Sequence, residues 1–162
     1  MKALYFEPSA LFKGYYEEVG SEIVDFALRQ LKAEVLVGLT SLWSLGEILR
    51  AFRKKVLAKT LPEKAAREAY EYFLADIREF EQDQKITILP ITRVDIQALH
   101  PYIWNHNLFV SDALHVHSAV KAGATAFLAE DRHFRRFSKI ETLKVVDPTV
   151  PESQDILQQL IQ

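Results

Sequence analysis

Hydrophobic positions along this chain follow two patterns that take turns. Five short apolar runs, Lys2–Phe6, Val35–Leu39, Thr87–Leu89, Thr125–Ala129 and Leu143–Val146, are each bounded by turn-forming or charged residues. Runs of this length predict strands buried on both faces. Between them the apolar residues spread to helical spacing. Pro8–Tyr16 and Ser21–Lys32 fill the first gap, Leu42–Lys59 and Pro62–Gln82 the second, and Val94–Trp104 and Ser111 to Ala122 the third. Strands separated by helices predict an α/β fold: a central parallel sheet of about five strands, covered by helices on both faces and joined by right-handed crossovers. No internal repeat or low-complexity tract interrupts the pattern.

Capping chemistry marks several helix ends. Thr40-Ser41 offers an N-cap before Leu42, and Thr60 offers one before Leu61-Pro62-Glu63. Thr92 with Asp95 spells a capping box. Ser111 is placed to cap the helix that Gly123 ends. Residues 148–162 are polar with a weak helical stripe, Ile156, Leu157, Leu160 and Ile161. The expected organisation is a domain over 1–147 and a C-terminal tail over 148–162, which docks on the body or on a partner.

Composition narrows the class. The chain has 162 residues, 49% hydrophobic and 26% charged, enough for one well-packed domain. A formal net charge of −2 excludes general attraction to polyanions, so any nucleic-acid contact rests on a local patch. The absence of cysteine removes disulfides and thiolate metal sites and fits a reducing cytosol. Lys2, a very short apolar run and Glu7 do not make a signal peptide, and no apolar stretch reaches the ~18 residues of a membrane span. A soluble, cytoplasmic protein is expected.

The acids carry the candidate chemistry. Parallel sheets bind ligands at the carboxyl ends of their strands. Glu7 directly follows the first strand and Asp131 closely follows the fourth, while Asp112 opens the helix leading into the fourth and Glu47 sits in the helix after the second. Four carboxylates converging on one sheet edge suit a hard divalent cation such as Mg²⁺ or Mn²⁺. Each also has a structural reading. Asp131 serves as an N-cap for a helix over Arg132–Phe137, and Glu7 as the polar end of a strand. Asp112 complements a helix dipole, yet it lines up with Val116 and Ala119 on an apolar face, where an unpaired acid is costly. Leu42, Leu45, Leu49, Phe52 and Val56 define the expected apolar stripe of the Glu47 helix, placing Glu47 with Arg50 and Lys54 on the solvated face. Only Trp43, one turn before Glu47, suggests that this face is more than water.

Together these blocks resemble the PIN domain. VSDALHVHSAVKAGATAFLAEDRHF at 110–134 is similar to the family's Asp-Ala-Leu-His helix and its strand ending in an acid and a Phe; LYFEPSAL and TSLWSLGEILRAF are similar to the first strand and the glutamate-bearing helix. The resemblance covers residue 1 to about 147. It implies a three-layer PIN-like fold and a metal-dependent endoribonuclease, as in VapC-type toxins of toxin–antitoxin pairs. On that likeness the acidic site falls on Glu7, Glu47, Asp112 and Asp131, with Ser9 supporting Glu7. Asp112 and Glu7 are the expected direct ligands of Mg²⁺ or Mn²⁺. Two departures stand out: Glu7 replaces the usual Asp, and Ala129 replaces the Thr or Ser found two residues before the last acid.

The implied reaction is RNA phosphodiester hydrolysis, for which a bound cation activates water and offsets charge on the leaving oxygen. RNA contacts are expected from Arg132, Arg135 and Arg136 beside Asp131, and from Arg50 on the Glu47 helix. His115 and His117 point ~200° apart on one helix and cannot share a zinc; they read as packing or polar-tip residues. An antitoxin partner and a homodimer follow from the resemblance. The competing reading keeps the fold and loses the chemistry: an RNA-binding or protein-interaction module whose longer Glu7 arm impairs metal binding. An unrelated Mg²⁺ phosphotransfer domain is disfavoured, because the first strand lacks Asp-x-Asp and Val145-Val146-Asp147-Pro148 supplies no late-strand Lys.

Overall fold

The computed structural model describes residues 2–130, Phe134 and residues 143–162. Five parallel strands, β1 (Lys2–Phe6), β2 (Leu36–Ser41), β3 (Ile86–Leu89), β4 (Ala126–Leu128) and β5 (Lys144–Val146), form one sheet in the order β3-β2-β1-β4-β5. Leu4 pairs with Gly38 on one side and Ala126 on the other, so β1 is central.

Alternation along the strands builds two cores. Leu4, Phe6, Leu36, Ala126, Leu128 and Val146 face one side, under α1 (Pro8–Phe12), α2 (Ser21–Lys32), α3 (Leu42–Leu57) and α4 (Glu63–Gln82). Tyr5, Leu39, Phe127 and Ala129 face the other, under α5 (Arg93–Gln97), α6 (His100–His106) and α7 (Val110–Lys121). These helix–sheet–helix layers are the expected architecture. The tail forms α8 (Ser153–Ile161) and docks on α2 and β5, with Leu157 fully buried in the first core.

Several boundaries differ from expectation. The helix expected over Val94–Trp104 is two helices, divided at Ala98-Leu99. Thr92 and Asp95 do form the capping box. Ser41 is the N-cap residue of α3 but makes no capping bond, because its hydroxyl faces the buried network described below. Thr60 bonds back to the Lys55 carbonyl, and Pro62 occupies the N-cap of α4. Phe109, not Ser111, is the N-cap of α7, while Gly123 ends that helix with a left-handed φ of 70°.

Candidate active site

The strand order reverses beside β1: β2 and β3 lie to one side, β4 and β5 to the other. In open parallel sheets such a switch point opens a crevice beyond the carboxyl ends. Glu7 stands at that point, its N–H donating to the Leu128 carbonyl at 3.0 Å. Its carboxylate turns back to cap α1, accepting from the Ser9 N–H at 2.8 Å and from the Ser9 hydroxyl. The Ser9 oxygen also accepts from the Glu130 N–H at 3.2 Å. One hydroxyl therefore connects the exits of β1 and β4.

A buried lysine reinforces that connection. Lys13 Nζ lies 2.8 Å from Glu130 and 3.0 Å from Glu18, and Lys55 reaches the other Glu18 oxygen at 2.8 Å. Burial raises the Glu18 pKa, but the bonds and charges from Lys55 and Lys13 prevail and hold it below the ordinary carboxylate value. Sequence reasoning missed Lys13, Glu18 and Glu130. The available signal was a lone lysine beside the apolar PSALF helix.

Glu47 departs from its expected surroundings. Leu42 and Leu49 are 52% and 49% exposed, whereas Ser44, Ile48 and Phe52 form the buried face of α3. The cause is at the start of the helix. Thr40 Oγ1 donates to the Phe6 carbonyl at 2.9 Å and lies 2.8 Å from Ser44 Oγ, which turns Ser44 inward. Glu47, three residues later, is half-buried rather than solvated, and its Oε2 is 2.5 Å from His115 Nε2. His115 is fully buried, with Nδ1 2.8 Å from the Tyr5 hydroxyl and 3.4 Å from Ser41 Oγ. Its expected packing role omitted this contact with Glu47, although its position one turn after Asp112 put it near the acids. His117 instead lies 3.2 Å from Asp95.

Glu7 and Glu47 open onto one cleft of about 510 Å³, shared with Ser9, Arg50, Lys54 and Lys55. Arg50 and Lys54 share the Glu47 face of α3 as expected, but that face lines a cleft. Burial pushes the Glu7 carboxyl up to about 7; the nearby His115 side chain and the Ser9 bonds oppose the rise, and Glu47 adds to it. Asp112 is half-buried in the first turn of α7. Among the described residues, no three acids or histidines gather closely enough to hold a metal ion. Asp131, Arg132, Arg135 and Arg136, with the helix expected over 132–137, lie outside the described residues.

Comparison with solved structures gives a PIN-like α/β fold, matching the five-stranded parallel sheet and its flanking helices. One matching chain belongs to VapBC2 from Rickettsia felis, bound to a DNA fragment from their promoter: TM-score 0.57, 13% identity, covering 90% of this chain and 98% of that one. Another is Mycobacterium tuberculosis VapC20, a sarcin–ricin loop cleaving toxin: TM-score 0.58, 17% identity, covering 83% and 94%. No family model matches the sequence, and no curated protein does. Among the described residues no helix is long and apolar enough to cross a membrane.

Proposed function

We propose that this protein is a metal-dependent endoribonuclease, a VapC-like toxin that hydrolyses RNA phosphodiester bonds. The observation carrying this reading is the cleft at the switch point, where Glu7 and Glu47 meet Arg50 and Lys54 on a fold shared with VapC20. Its donor chemistry fits a hard divalent cation: the described acids offer oxygen ligands, and the Glu47 charge adds to the rise of the buried Glu7 carboxyl, a repulsion that a bound cation would relieve. Glu7, Glu47, Asp112 and Asp131 would hold Mg²⁺ or Mn²⁺, which activates water and stabilises the leaving oxygen when bound. Ser9 fixes Glu7 and braces the β4 exit. Arg50, with Arg132, Arg135 and Arg136, would bind RNA phosphates flanking the acids. The same reading includes a cytoplasmic protein, an antitoxin partner and a homodimer.

The test is an RNA panel incubated with and without Mn²⁺, using wild type, Asp112→Asn and Glu7→Asp. Metal-dependent cleavage lost in Asp112→Asn is the expected result. Cleavage only in Glu7→Asp would instead identify the native chain as an impaired member of the fold.

A further inference from the structure

His115 belongs to the helical layer on one sheet face and Glu47 to the layer on the other; their contact closes over the end of β2, beside Ser41. We propose that His115 is a positioning residue for the candidate cation site, holding the Glu47 carboxylate toward the cleft through a tautomer set by Tyr5. This assignment rests on the cation-site reading above.

The hydrogen-bond directions agree. An ionised carboxylate only accepts, so Nε2 must carry the proton that it shares with Glu47 Oε2. With that proton on Nε2, Nδ1 is the ring atom that faces the Tyr5 hydroxyl at 2.8 Å and accepts from its O–H. Burial raises the Tyr5 pKa far above its ordinary value, keeping the phenol as a donor. Its ring is held by stacking on Phe127, with centroids 5.2 Å apart and planes 6° apart. Thus the Tyr5–His115 pair presents a fixed N–H to Glu47.

Competition from Arg50 explains why this matters. Arg50 lies one turn after Glu47 on the same cleft-lining face, at the i,i+3 spacing that favours a carboxylate–guanidinium pair. Among the described residues, however, Glu47 pairs with His115 and with neither Arg50 nor Lys54. His115 satisfies one carboxylate oxygen and keeps the other available to a cation. It also leaves Arg50 available for a phosphate. Outer hydrogen bonds of this kind orient metal ligands, and their loss typically lowers metal affinity ~10–100-fold.

The test combines imidazole ¹⁵N spectra with Mn²⁺ titration calorimetry on the full chain. Wild type should show the neutral Nε2–H tautomer of His115. His115→Gln should bind Mn²⁺ at least about tenfold more weakly. Tyr5→Phe retains the stacked ring and should weaken binding in the same direction. Adding Arg50→Gln should recover more affinity in the His115→Gln background than in wild type, a non-additivity that a packing role does not produce. An Nδ1–H tautomer, wild-type Mn²⁺ affinity in both single variants, or additive Arg50 effects would overturn the assignment. Wild type that binds Mn²⁺ but cleaves no RNA would overturn the ribonuclease reading alone; wild type that binds no Mn²⁺ would overturn both.

Discussion

Glu7 combines a structural bond with a titration that bears on stability. Its carboxyl is raised by burial from an ordinary 4.5 to about 7. Between those values the folded chain retains a proton that the unfolded chain has lost. Its stabilising contribution is full below pH ~4.5 and falls as pH rises through about 7. Wild type should therefore lose stability relative to Glu7→Gln between pH 5 and 8, by of order 1–3 kcal/mol. Paired denaturation curves at the two pH values check this; parallel pH profiles would refute the assignment to Glu7. Mn²⁺ should offset the loss at pH 8, since it favours the ionised form.

The same residues show how far the sequence could be read. Glu7 was visible because an apolar run stops at a carboxylate just before Pro8-Ser9. Glu47 was visible as an acid, but its surroundings were not. Its apolar stripe placed Phe52, Leu45 and Val56 against the core but also Leu42 and Leu49, which are exposed because the Thr40–Ser44 contact brings Ser44 and Ile48 inward. Hydrophobic periodicity carries no information about a buried serine network, so that helix rotation could not be predicted.

At the element scale, missing glycine concealed helix ends. Glu34, Lys59 and Gln84 follow α2, α3 and α4, each with φ of 58°. Paired return bonds close these ends: Val35 N–H to the Gln30 carbonyl, Thr60 N–H to Lys55 and Lys85 N–H to Phe80, each accompanied by the inner bond of a Schellman turn. The strain of a side chain in the left-handed region costs about 1–2 kcal/mol. Glu34→Gly, Lys59→Gly and Gln84→Gly should each stabilise the fold by about 1 kcal/mol, measured as a higher denaturation midpoint. Destabilisation by all three would show that these end geometries are wrong. Gly123 advertised its turn and was placed correctly; the other three ends had no such signal.

Across the molecule, the parallel pattern and its two helical layers were legible because every core strand is short and apolar. The pattern left open where the tail docks. Leu157 now joins the core, while Gly20 receives Pro148: a Cβ at Gly20 would lie 2.6 Å from the Pro148 carbonyl oxygen, at a φ of 91°. Leu157→Ala should cost about 2–5 kcal/mol in a denaturation measurement. An effect below ~0.5 kcal/mol would contradict integral docking of α8.

The cleft joins these scales, because its carboxylates come from different elements and meet only through the fold. Its central claim is tested most directly by single-turnover cleavage of the RNA panel at saturating Mn²⁺, comparing wild type with Glu47→Gln and using circular dichroism to verify folding. Cleavage should require the cation and fall about 100-fold or more in Glu47→Gln, a loss of roughly 3 kcal/mol of transition-state stabilisation. Cleavage by wild type without a divalent cation, or equal rates in the folded variant, would contradict it.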